Sequence, residues 1–80
     1  MKLLFIVNPI AGSGSTLRAL PLIEEYCQQR SVEYSIIKTK YKGHATELAR
    51  DAISSPRFHG IIAVGGDGTV MEVANGLTGS

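Results

Sequence analysis

The chain has 80 residues, 44% of them hydrophobic, and a formal net charge of +1. That is enough for one small globular domain with a modest core, and the near-balanced charge, with no run of Lys and Arg, gives no footprint for nucleic acid. Cys27 is the single cysteine, which excludes an intrachain disulfide or thiolate metal site and points to a reducing, cytoplasmic setting.

Met1-Lys2 and the apolar residues 3–7 have the outline of a signal peptide, but Asn8-Pro9 breaks the run and no small-residue cleavage pattern follows. The run reads instead as a strand buried on both faces of a parallel sheet. No segment is long enough to span a bilayer, so contact with lipid would be peripheral. Residues 8–15 are dense in Pro, Gly and Ser and form a loop. A helix follows with Leu20, Ile23 and Cys27 on one face; Pro21 predicts a start near Arg18, which leaves the proline in the first turn.

Residues 32–39 are the second strand, Val32, Tyr34 and Ile36 alternating with Glu33 and Ser35. Ala45, Leu48, Ala49, Ala52 and Ile53 then form the stripe of an amphipathic helix, which Pro56 stops. Residues 61–64 predict a third, short buried strand, and a third helix is expected to begin within residues 68–71. Strand–helix repeated three times predicts an α/β fold, a three-layer α/β/α sandwich around a parallel sheet with right-handed crossovers. There is no internal repeat, low-complexity tract or interdomain linker.

In open parallel sheets ligands bind beyond the carboxyl ends of the strands. The loops at 8–15 and 65–69 both leave such ends and so could face one crevice. The helix behind each offers free N–H groups and a partial positive charge, which suits phosphate. Gly65, Gly66 and Gly68 would let a phosphate or ribose approach the backbone, with left-handed dihedrals at little cost. Asp67 between them could serve a metal-bound phosphate or an attacking hydroxyl. Thr69 and Glu72 fit a Thr-x-x-Glu capping box. A lone Gly-Asp-Gly can equally be a turn or a cap. Gly12-Ser13-Gly14-Ser15-Thr16 lacks the P-loop lysine and the third glycine of a dinucleotide fingerprint.

His44 at a helix start reads as solvent-exposed or capping, with phosphate contact the less expected role. Lys38, Lys40 and Lys42 read as solvated residues at a strand end, although they could favour anionic lipid. Tyr26, Tyr34 and Tyr41 read as packing residues, and Cys27 as a buried helix residue.

Gly65-Gly66-Asp67-Gly68-Thr69 after a buried strand resembles the signature of the diacylglycerol kinase catalytic domain, a family that includes bacterial lipid kinases and the sphingosine kinases. Asn8-Pro9-Ile10-Ala11-Gly12 is similar to the family's Asn-Pro-x-x-Gly loop. Gly43-His44-Ala45 with Leu48-Ala49 resembles the start of its second helix, and Asn75-Gly76 the end of its third. NAD kinases share the Gly-Gly-Asp-Gly-Thr element, but the Asn-Pro-x-x-Gly loop argues against them.

The resemblance covers essentially the whole chain and implies that residues 1–80 are the N-terminal, ATP-binding part of such a domain, the fold of a NAD kinase/diacylglycerol kinase-like N-terminal half. It implies an ATP site lined by Asn8, Pro9, Ile10, Ala11, Gly12 and Thr39, and by Gly65, Gly66, Asp67, Gly68, Thr69, Val70, Met71 and Glu72. Asp67 would be the catalytic aspartate serving Mg2+ and ATP; no metal ligands are assigned. Met71 stands where family members usually have Asn, which removes an amide near the phosphates. In the family a second, mostly β domain supplies the lipid cleft, the acid–base residue and acidic metal ligands, and these are expected outside this chain. The implied function is transfer of the ATP γ-phosphoryl group to a lipid hydroxyl. A non-catalytic nucleotide-binding protein and, on topology alone, a flavodoxin-like binder are the alternatives, and monomer and homodimer both stay open.

Overall fold

In the computed structural model, which describes residues 1–78, the apolar N-terminal run is the middle strand of a three-stranded sheet. β1 (Lys2–Val7) lies between β2 (Glu33–Lys38) and β3 (Gly60–Val64), and both pairings are parallel. A middle strand is covered on both faces, which is why its sequence is continuously apolar. Phe5 and Val7 face α1 (Ser15–Gln29), where they pack with Leu20 and Cys27. Leu4 and Ile6 face α2 (His44–Ile53) and α3 (Asp67–Thr78), where they pack with Ala45, Ala49, Ala52 and Val73. The result is the expected α/β/α sandwich. Burying Leu4, Ile6 and Val7 fully stabilises it by about 1.5–3 kcal/mol each.

α2 and α3 pack almost backbone to backbone at Gly76. A Cβ there would run into the Thr46 carbonyl oxygen and lie 2.7 Å from Ala49 Cβ. The alanine stripe of α2 and the glycine of α3 are therefore one feature, two small surfaces that let the helices meet.

Four expectations change in three dimensions. α1 begins at Ser15, not near Arg18, because Gly14 turns left-handed at φ 91 as its N-cap and the Thr16 hydroxyl donates to the Asn8 carbonyl at 2.6 Å. Pro21 thus lies inside the helix, where it removes the bond its N–H would give the Leu17 carbonyl. β3 is a half-buried edge strand, with Ile62 37% exposed, instead of a buried one. Ile53 is exposed despite its place on the apolar stripe, since it is the last residue of α2 before the chain turns off at Ser54. α3 starts at Asp67, ahead of the predicted window, because the Gly66 carbonyl already accepts the Thr69 and Val70 N–H groups at 3.0 and 3.2 Å.

Tyr34 packs in the α1-side core as expected, whereas Tyr26 and Tyr41 are exposed. No helix among the described residues is long and apolar enough to cross a membrane.

Candidate functional site

The chain steps from β1 to β2 on one side and later to β3 on the other, so the direction of winding reverses at β1. The loops that leave the strand ends diverge at such a point and open a crevice. Two backbone bonds carry the sheet one step past its strands, Thr39 N–H to the Val7 carbonyl at 2.8 Å and Asn8 N–H to the Val64 carbonyl at 2.9 Å. They bring Asn8, Thr39 and the end of β3 to one level.

A cavity of about 670 Å³ opens there, lined by Asn8, Pro9, Ile10, Ala11, Gly12, Thr39, Lys40, Tyr41, Lys42, Ala45, Gly66, Gly68, Thr69 and Glu72. Its size falls within the range of about 300–1,000 Å³ of small-molecule sites. The two glycine-bearing loops therefore share one cavity. Of the residues expected to hold a nucleotide, Gly65, Asp67, Val70 and Met71 do not line it. Lys40 and Lys42, expected as solvated strand-end lysines, and Tyr41, expected as a packing residue, do. Their position just past the carboxyl end of β2 is the sequence signal that could have found them.

Each loop is held by its own side chains. In the first, Asn8 Oδ1 accepts the Ile10 N–H at 3.2 Å and the Asn8 carbonyl accepts the Ala11 N–H at 3.3 Å. A 3-10 turn over Ala11–Gly14 follows, with Gly12 at φ 61, a left-handed conformation that suits glycine. In the loop from β2 to α2, His44 Nδ1 accepts the Lys40 N–H at 3.0 Å, and the imidazole stacks on Tyr41 at 4.4 Å between ring centroids. His44 thus organises the loop instead of capping the helix, whose N-cap is Gly43. A hydrogen bond to Glu47, then loss of hydration and the charge of that carboxylate, hold the Tyr41 phenol above its usual pKa of 10.0.

The Thr69/Glu72 capping box does not form. With α3 starting at Asp67, Thr69 is a buried residue of the first turn, and Glu72 lies too far into the helix to cap it. Glu72 reaches across to α2 instead, accepting the Gly43 N–H at 3.2 Å, while its carbonyl accepts the Thr46 hydroxyl at 2.7 Å. A carboxylate therefore already sits at the start of α2 and would repel an anion there. The start of α3 is the end left for one: its Asp67 and Gly68 amides have no acceptor within the helix, and the Asp67 side chain is exposed and does not line the cavity.

The glycines of the second loop divide by what a side chain would meet. A Cβ on Gly65 would collide with the side chain of Thr69 and come within 3.2 Å of Asn8 Cβ. Packing accounts for that one. At Gly66 and Gly68 a Cβ would meet nothing within 4 Å, and neither residue has a positive φ. The left-handed dihedrals expected in this loop are absent, and both open positions line the cavity. Asp67 is exposed between them, in the first turn of α3. Among the described residues no three His, Cys, Asp or Glu side chains come together as a metal site.

The model of the diacylglycerol kinase catalytic domain matches residues 2–80. The chain is 38% identical over 77 residues to sphingoid long-chain bases kinase 1 of Arabidopsis thaliana, covering 95% of this chain and 10% of that protein. It is 39% identical over 72 residues to a diacylglycerol kinase of Bacillus subtilis, covering 90% of this chain and 23% of that one. A crystal structure of a diacylglycerol kinase from Bacillus anthracis superposes with a TM-score of 0.73 at 36% identity, over 99% of this chain and 28% of the other. The chain thus spans about a quarter or less of the relatives compared.

Proposed function

The chain belongs to the diacylglycerol kinase catalytic domain family, and we propose that it is the ATP-binding part of a lipid kinase. The observation that supports this most is the pair Gly66 and Gly68, which line the cavity although neither packing nor backbone conformation calls for glycine there. A phosphate lying against the backbone accounts for both. The rest of the wall agrees with it. Gly66, Gly68 and Thr69 bring the start of α3 into the cavity, Lys40 and Lys42 bring cations, and Asn8 to Gly12 add the first glycine-bearing loop.

Asp67 is assigned to Mg2+ and, through it, to the phosphates. One carboxylate beside a phosphate is a usual donor set for Mg2+, which keeps several waters and takes few protein ligands. When bound, ATP supplies the transferable phosphoryl group. The protein's own share is to hold the phosphates against the α3 amides, neutralise them with the two lysines and exclude bulk water from the cavity floor. The lipid acceptor site and the acid–base group are assigned to sequence outside the 80 residues, since the chain covers only 10% and 23% of the two kinases compared, and any contact with the membrane is peripheral.

Isothermal titration of the chain with Mg-ATP should show saturable binding, and assays with ATP and diacylglycerol should give no phosphatidic acid from the chain alone. No binding at millimolar Mg-ATP would refute the nucleotide site, and turnover by the chain alone would refute the assignment of the acid–base group elsewhere. In the intact protein, radiolabelled ATP should label lipid and not NAD. Asp67→Asn there should lower phosphoryl transfer by orders of magnitude at a nearly unchanged melting temperature, because an exposed loop-end carboxylate contributes little to stability. A parental rate in this variant would reduce Asp67 to a turn residue.

A further inference from the structure

His44 does not line the cavity, yet it holds the segment that does. Its Nδ1 accepts the Lys40 N–H at 3.0 Å, its ring stacks on Tyr41 at an interplanar angle of 17°, and its backbone N–H donates to the Tyr41 carbonyl at 3.1 Å. Lys40, Tyr41 and Lys42 form one wall of the cavity. They lie between the last ladder bond of β2, made by Thr39, and the first residue of α2. The far end of the same loop is tied to α3 through Gly43 and Glu72. The near end is held by His44 and, through the Tyr41 phenol, by Glu47, and of the two only His44 reaches the Lys40 backbone.

We propose that His44 is a positioning residue for the nucleotide site, its imidazole fixing the β2–α2 loop so that Lys40 and Lys42 are presented to the phosphates. The inference rests on the assignment of ATP to this cavity. Two features of the ring act separately. The Nδ1 lone pair accepts the Lys40 amide, and the flat face covers Tyr41. Without the acceptor, the Lys40 amide turns to water and the loop must be reordered each time an anion binds. That reordering weakens binding without altering any group that touches the ligand.

The two features can be separated by substitution. His44→Phe keeps a flat ring and loses the acceptor; His44→Asn loses the ring and keeps an acceptor, because its side-chain oxygen stands close to where Nδ1 was. In the whole chain, Mg-ATP affinity should fall about fivefold to tenfold in His44→Phe, the size of a lost hydrogen bond and the loop ordering it carried. The Lys40 amide should lose its protection from hydrogen exchange in the same variant. His44→Asn should recover most of the affinity and the protection, and circular dichroism checks that both variants stay folded. Parental affinity in His44→Phe overturns the proposal, and so does failure of a folded His44→Asn to restore it. If the parent chain binds no Mg-ATP, the nucleotide reading fails instead. Loss of Lys40 protection in His44→Phe alone would then still establish the brace, and retained protection would refute it.

Discussion

Gly66→Ala and Gly68→Ala should each weaken Mg-ATP binding by about tenfold to a hundredfold, the effect of forcing a methyl group into a close contact at about 1–3 kcal/mol. Neither should destabilise the fold. A Cβ at either position meets nothing within 4 Å, and neither backbone is left-handed. At Gly68, inside α3, alanine should in fact stabilise by about 0.5–1 kcal/mol, since it restricts the unfolded chain and favours helix. For a domain of this size that is a rise of about 2–8 °C in melting temperature. Titration and thermal melts of the same samples decide the matter. Parental affinity in both variants would mean that no ligand approaches the backbone there. The fall in affinity and the rise in stability must appear together in Gly68→Ala, because glycine is the poorer helix former at a position inside α3.

Gly76→Ala should have the opposite profile. Its new Cβ would collide with the Thr46 carbonyl and stand 3.1 Å from the Arg50 nitrogen, both backbone atoms of α2 that cannot rotate away. The helices must separate, and the expected cost is about 3 kcal/mol, at the upper end for overpacking. Small domains are stable by about 5–15 kcal/mol, so this is a large fraction of the total. The melting temperature should fall by about 12 °C or more. Adding Ala49→Gly should restore only part of the loss, because it removes the Ala49 methyl and leaves the Thr46 carbonyl in place. A fall of less than about 3 °C, within the noise of minor surface changes, would show that α2 and α3 are free to slide apart. Gly66, Gly68 and Gly76 all lie within eleven residues of sequence, yet only the structure separates the two that line the cavity with open space beside them from the one that lets α3 pack on α2.

The family relationship was carried by short motifs whose spacing survives in the linear sequence. Asn8 to Gly12 and Gly65 to Thr69 each follow an apolar strand, and the match to the family extends over residues 2–80. The layering was legible as well. A continuous apolar run at 3–7, an alternating strand and the 45–49–52 alanine stripe state which surfaces are covered, because burial acts directly on side-chain type. That the two loops could share a crevice followed from their place at the carboxyl ends of parallel strands, and the strand order β2-β1-β3, which the structure supplied, made it so.

What the tertiary structure alone decided are the contacts between segments far apart in the chain. Glu72 has the spacing of a capping box with Thr69, a local pattern that any sequence window would favour. Its carboxylate instead binds Gly43, 29 residues away, because α3 starts earlier and turns that face toward α2. Lys40 and Lys42 carry no motif; their place after β2 allows a cavity role, and the contacts of that loop with His44 and Glu72 settle it. Spacing within a helix or a loop is written in the sequence. Which partner a side chain finally meets depends on how two separate elements approach, and that is set by the packing of the whole core.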